Sequence, residues 1–259
     1  MQLRDRTFLL LGGTGGIGRA LIEPLQAAGA RLVVASRSQP VLPLPDCDWV
    51  QLDLAAANLG AELARVSEQH PLIDGVIHCA GQNRFCRLDA LAMADWQQLM
   101  AVNLTSAFAV SAHFVPRFRE RGLGAMVFVG STFGSIGFPG YSAYCATKFG
   151  LRGFTEALRR ELADTPIDVL YVAPRATQTA MNPGAVDALN QALGNRVDPP
   201  EAVARDIVDT MARSQTRRFL GWPERFFVML NGLLPRLVDQ AMRRQLPVIQ
   251  RYLMTEGSK

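Results

Sequence analysis

The chain has 259 residues, 49% of them hydrophobic and 19% charged, which supplies material for one large α/β domain or two small ones and excludes a disordered chain. The formal net charge is a modest +4 and no basic block is interleaved with aromatic residues, so no nucleic-acid partner is expected. Cys47, Cys79, Cys86 and Cys145 have neither C-x-x-C spacing nor a secretory setting, and His70, His78 and His113 lack metal-ligand spacing, so reduced thiols, a cytoplasmic location and no metal are expected.

Thr7-Phe-Leu-Leu-Leu11 is a short apolar run, fit for a strand buried on both faces. It leads straight into glycines, which is not a signal-peptide pattern, and no uninterrupted apolar stretch reaches membrane-spanning length. Gly12-Gly-Thr-Gly-Gly-Ile-Gly18 follows, and then a helical pattern to Gly29 carried by Ile17, Leu21, Ile22 and Leu25. Strand, glycine turn and helix predict the phosphate-binding opening of a dinucleotide fold. The glycines let backbone approach a pyrophosphate, and the helix N-terminus offers free N–H groups and a positive dipole end. Gly13, Gly15 and Gly18 fit one glycine register, and Gly12, Gly16 and Gly18 fit another.

Arg31 to Ser36 reads as the second strand. An NAD site would usually place an acid at its end; here stand Ser36 and Arg37. A guanidinium fork suits a 2′-phosphate, so NADP(H) is the expected cofactor. After a proline-rich connection from Gln39 to Asp48 come a third strand, Trp49 to Asp53, and a helix to about Gln69. Ile73 to Cys79 is the fourth strand, closed by Ala80-Gly81. A long helical region, Met93 to Glu120, carries Asn103 near its middle, where Asn is a poor helix former. Met126 to Gly130 is the fifth strand and ends at Ser131. A helix from Ala143 to Leu162 sets Tyr144 and Lys148 four apart on one face. An ammonium beside a phenol favours the phenolate and brings its pKa toward working range, while a hydroxyl at Ser131 suits a carbonyl oxygen. Ile167 to Ala173 is the sixth strand, stopped by Pro174. Arg175 to Asn195 reads as a loop, Pro199 to Arg213 as a helix, and Arg218 to Leu220 as a last short strand. The alternation predicts a single Rossmann-like, doubly wound parallel sheet of about seven strands with helices on both faces.

From about Thr7 to Gly221 these residues resemble the short-chain dehydrogenase/reductase family. The family's T-G-x-x-x-G-x-G appears as Leu11-Gly12 to Gly16-Ile17-Gly18, its N-N-A-G as His78-Cys79-Ala80-Gly81, and its P-G as Pro174-Arg175. Its tetrad maps onto Asn103, Ser131, Tyr144 and Lys148. The resemblance implies hydride transfer between a nicotinamide and a carbonyl or alcohol carbon, with reduction favoured. It makes Tyr144 the proton donor, Lys148 its support and ribose contact, Ser131 the carbonyl anchor and Asn103 the holder of a relay water. The implied cofactor contacts are Gly12, Thr14, Gly16, Ile17, Gly18, Ser36, Arg37, Asp53, Leu54, Ala80, Gly81, Tyr144, Lys148, Pro174, Thr177 and Thr179. Phe85, Phe133, Ile136, Phe138 and Met181 stand near the expected pocket mouth and suggest an apolar ketone or acyl substrate. Carrier-protein reductases often have basic residues where this chain has Ala125 and Thr165, which weighs against that substrate. A catalytically silent dinucleotide-binding regulator is the second reading.

Trp222 to Lys259 reads as an amphipathic helical extension of the 1–221 catalytic domain, with six Lys/Arg against three acids. Phe226, Phe227, Leu230, Leu233, Leu234, Leu237, Val238 and Met242 recur at helical spacing, and Pro235 and Pro247 are expected to break the run. Because its Arg residues look spread along the segment, packing on protein in a homodimer or homotetramer is the favoured role. Peripheral membrane contact and a cap over the pocket are the alternatives.

Overall fold

Five β-branched or leucine-rich runs and two short, more polar edge segments become seven parallel strands: β1 Thr7–Leu11, β2 Arg31–Ser36, β3 Asp48–Gln51, β4 Ile73–His78, β5 Gly124–Val129, β6 Ile167–Ala173 and β7 Arg217–Phe219, with β3 and β7 at the edges. The computed structural model describes residues 1–41, 43–182 and 184–256, with backbone alone at 254–256. Leu42, Pro183 and the last three residues of the extension, 257–259, lie outside the described residues. The strand order is β3-β2-β1-β4-β5-β6-β7, so the chain reverses direction across the sheet between β1 and β4. Ligands of such sheets bind in the crevice at the carboxyl ends of the strands at that switch point.

Every residue of β4, and Phe8 to Leu11 of β1, is buried, because helices cover both faces. One face packs under α2 (Leu59–Gln69), α4 (Ser106–Arg121) and α5 (Ser142–Glu161), around Phe114, Phe118, Phe128 and Tyr171. The other packs under α1 (Gly16–Ala27) and α7 (Pro200–Ala212), around Phe8, Leu21, Ile207 and Met211. α3 (Met93–Met100) runs into α4 through a π-turn, Ala101–Thr105, with Asn103 at its centre. Over 93–121 these elements make one helix apolar enough by length and composition to cross a membrane, and 56% of its most apolar window is buried in the fold. The sequence reading, which looked for uninterrupted apolar runs, did not single it out.

Two expectations need correction. The loop expected over Arg175 to Asn195 contains a helix, α6 (Gly184–Ala192), whose Val186 and Leu189 are buried. Its residues are small and carry a weak local signal; burial against the C-terminal segment supplies the rest. That segment forms two helices, α8 (Glu224–Leu233) and α9 (Pro235–Glu256). Pro235 does separate them, standing first in α9, where its missing N–H costs nothing. Pro247 does not break α9. One lost backbone hydrogen bond is outweighed by the burial of Ile249 and Leu253, just beyond it, against Phe85 and Tyr141.

Candidate active site

The glycine turn is held by close packing. Gly12 has φ +80°, and a Cβ there would stand 2.6 Å from the Cα of Ala80, so β1 and β4 exits meet backbone to backbone. α1 starts at Gly16, with Gly15 at its cap and neither a capping side chain nor an acid in the first turn. Its N–H groups therefore remain for an anion. Gly16 packs on Thr179, since a Cβ there would lie 2.8 Å from the Thr179 Cβ. The register that works is thus Gly12, Gly16, Gly18.

One cleft of about 840 Å³ runs from this turn across the carboxyl ends of the strands. All sixteen residues expected to contact cofactor line it, as do Ser131, Phe133, Ile136, Phe138 and Met181. Arg37 is exposed, with no side-chain partner among the described residues. The Ser36 hydroxyl is already committed, accepting from Trp49 Nε1 and donating to Ser38 O, both at 2.8 Å, so it braces the turn. Ser38, also lining the cleft, was missed by the sequence reading. Asp53 lies beyond the end of β3 and accepts from Ala55 N at 3.0 Å.

At the centre, α5 presents Tyr144 and Lys148. Lys148 is 4% exposed, donates to Val129 O at 3.2 Å, and lies 5.8 Å from the Tyr144 ring centroid. Burial drives both groups toward neutrality. It pushes the Tyr144 phenol up to about 12, with the Ser131 hydroxyl pulling the other way, and the Lys148 ammonium down to about 8. The expectation that the ammonium brings the phenol down is reversed in this structure, because desolvation is the largest influence on each. Ser131 Oγ accepts from Phe133 N at 3.1 Å.

Asn103 does not line the cleft. From the π-turn its amide clamps Gln82 in both directions, Nδ2 to Gln82 O and Gln82 N to Oδ1, each 2.8 Å, and donates to Thr147 Oγ1 at 3.0 Å. A side chain so occupied locks the β4 exit onto α5; this is what the π-turn positions. Phe85 also falls outside the cleft. It is buried against Tyr141, ring centroids 5.0 Å apart, because Gly140 leaves room for it. Tyr141 lines the cleft in its place, beside the stacked pair Phe133 and Phe138.

Sequence reasoning treated His78 and Arg175 only as departures. The Ser106 hydroxyl donates to Val102 O at 2.7 Å, so its contact with His78 Nε2 at 2.7 Å requires the proton on Nε2. His78 Nδ1 then has no partner among the described residues, and burial pushes this imidazole down to about 3, so it is neutral. Arg175 donates to both Asp198 oxygens at 2.7 and 2.6 Å, to Glu224 at 3.1 Å and to Trp222 O at 3.2 Å. It ties the β6 exit to the start of α8. No local pattern announces that, because its partners are 23 and 49 residues away.

α8 and α9 complete the cleft. Phe227, Leu230, Leu237, Val238 and Met242 line its outer half, and Asn231 Nδ2 donates to Ser135 O at 2.8 Å. Of the roles considered for the extension, the cap over the chain's own pocket is the one the structure shows.

A family profile described as short chain dehydrogenase matches residues 6–190. An uncharacterized oxidoreductase, YxnA, of Bacillus subtilis is 26% identical over 262 residues, covering 94% of this chain and 73% of its own. A 3-oxoacyl-[acyl-carrier-protein] reductase, FabG, of Aquifex aeolicus is 27% identical over 225 residues, covering 80% and 90%. Among solved structures, a short chain dehydrogenase from Burkholderia cenocepacia in complex with NADP superposes with a TM-score of 0.81 at 20% identity, covering 93% of this chain and 99% of that one. One from Sphingobium yanoikuyae in complex with NADPH gives 0.75 at 24%, covering 90% and 95%. With the parallel sheet, the glycine turn and the Tyr-x-x-x-Lys helix all in place, the chain belongs to the short chain dehydrogenase family of oxidoreductases.

Proposed function

We propose that this chain is an NADP(H)-dependent reductase of apolar carbonyl compounds. The observation that carries the reading is the joining, in one cleft, of an uncapped helix N-terminus, an unpaired Arg37 and the Tyr144–Lys148 pair under an apolar cap. The cleft fits a dinucleotide: Gly12 lets the β1 exit turn tightly against Ala80, where a Cβ would stand 2.6 Å from the Ala80 Cα, and the first turn of α1 offers N–H groups with no competing acid. Gly12 to Gly18 would hold the phosphates, Arg37 and Ser38 the 2′-phosphate, Asp53 and Leu54 the adenine side, and Thr177 and Thr179 the nicotinamide side. Two structurally similar proteins carry NADP or NADPH, which supports this cofactor. When bound, NADPH supplies a hydride to the carbonyl carbon.

The chain's own part begins with Ser131, whose hydroxyl would hold the carbonyl oxygen against the phenol. Tyr144, kept protonated by burial, then gives its proton to the developing alkoxide. Lys148, pushed toward neutrality, is suited to pass a proton back to Tyr144 at working pH. Phe133, Phe138, Leu230 and Val238 exclude water from the reacting carbon. The apolar walls favour a hydrocarbon-rich ketone. The FabG relatives reduce carrier-bound oxoacyl groups, and the uncharged Ala125 and Thr165 weigh against that partner here.

Tyr144→Phe tests the reading. NADPH binding and the melting temperature are expected to stay near wild type while reduction across a panel of apolar ketones, followed by NADPH absorbance, falls at least about a hundredfold. Turnover within a few fold of wild type would remove Tyr144 from the chemistry and leave the dinucleotide-binding regulator as the better account.

A further inference from the structure

The apolar surface of α8 is wider than the pocket uses. Phe227 and Leu230 line the cleft, whereas Phe226, Met229 and Leu233, at i, i+3 and i+7, form an adjoining exposed stripe, with Trp222 just before the helix against the Phe226 ring. Trp222 is 69% exposed and Leu233 73%, and Leu234 and Leu237 extend the stripe onto α9. The cations beside it are free. Arg225 flanks the stripe, Arg236 and Arg243 lie two turns apart on one outer face of α9, and Arg244 and Arg251 are exposed near them. None of these five side chains makes an ion pair or hydrogen bond among the described residues. Arg236 and Arg243 share a face, while the five arginines as a set are spread over both helices, as expected from the sequence.

We propose that the outer face of α8 and the first turns of α9 is a docking surface for an anionic lipid bilayer. Apolar side chains with a tryptophan at their edge and unpaired arginines around them match the acyl boundary and the headgroups of such a surface. A second copy of this chain fits the same face poorly. Two-fold pairing sets the same patch against itself, so its five arginines would meet mainly like charge with Asp239 as the exposed acid among them, whereas anionic headgroups answer that excess directly. Phe227 and Leu237 belong to both worlds, lining the cleft while remaining about half exposed. The mouth of the pocket therefore adjoins the docking face, and a carbonyl compound dissolved in the bilayer reaches the cleft through the cap. That last step rests on the reductase reading; the docking does not.

The test uses the full chain and no turnover. The protein is sedimented with vesicles of phosphatidylcholine containing about 30% phosphatidylglycerol, and with phosphatidylcholine alone. Wild type is expected in the pellet with the anionic vesicles only, and to be released by about 0.5 M NaCl. Arg225→Glu with Arg236→Glu, and separately Phe226→Ser with Leu233→Ser, should each lower the partition coefficient at least about tenfold. All four residues lie outside the cleft, so both double variants should keep the melting temperature and reduce a water-soluble ketone as wild type does. Wild type left in the supernatant with anionic vesicles overturns the proposal, and so does undiminished binding of either double variant. Light scattering that shows a wild-type dimer dissolved by Leu233→Ser overturns it too, in favour of a second copy on this face. Loss of ketone reduction with vesicle binding intact would strike the reductase reading alone.

Discussion

Arg175→Ala is the perturbation that separates the cap from the catalytic core. The guanidinium is 8% exposed and its removal strands two carboxylates, Asp198 and Glu224, that are 21% and 23% exposed. Hydrogen bonds to charged groups are each worth roughly 1.5–3 kcal/mol, and four are lost. The carboxylates keep enough exposure for water to replace much of this, which brings the net loss to about 2 kcal/mol. For a domain of this size that lowers the melting temperature by roughly 4–8 °C. Because the same side chain holds Trp222 O at the entry to α8, the cap should loosen and KM for an apolar ketone rise by more than kcat falls. The assays are thermal unfolding by circular dichroism and NADPH-coupled kinetics. Arg175→Lys, which keeps the charge and loses the fork, should recover only part of both effects. A melting temperature within about 1 °C of wild type, with KM unchanged, would refute the clamp.

Arg37→Ala is expected to weaken NADPH binding by at least about tenfold and NADH binding hardly at all, measured by fluorescence titration; equal losses for both would show that Arg37 does not read the 2′-phosphate. The pH profile should follow Lys148: with its pKa pushed down to about 8 and Tyr144 at about 12, kcat/KM for reduction should fall as pH rises through about 8, when the ammonium loses its proton while the phenol retains its own. A profile flat to about pH 10 would contradict that assignment. The same depressed Lys148 binds fewer protons folded than unfolded between about 8 and the usual 10.5, so its contribution makes the fold more stable as pH rises across that window, the sign a denaturant series should show for wild type relative to Lys148→Met.

Much of this molecule was legible in the chain alone, where the physics is local. Apolar runs such as Thr7–Leu11 and Ile167–Ala173 are buried strands because both their faces need cover, and the strand, glycine turn and helix at 7–27 repeat a pattern that backbone geometry demands. Tyr144 and Lys148 share a face because 3.6 residues make a turn. What only the tertiary structure decided lies in contacts between distant segments. Phe85, apolar and near the expected mouth, turned into the core because Gly140 and Leu253 make a place for it. The desolvation that reverses the expected pKa shift at Tyr144 comes from the whole cleft, not from its helical neighbour. The inward and outward halves of the α8 stripe read alike in sequence, since periodicity shows that a face wants burial but not what buries it. Ser135, which receives Asn231, is 96 residues away, and only folding brings it there.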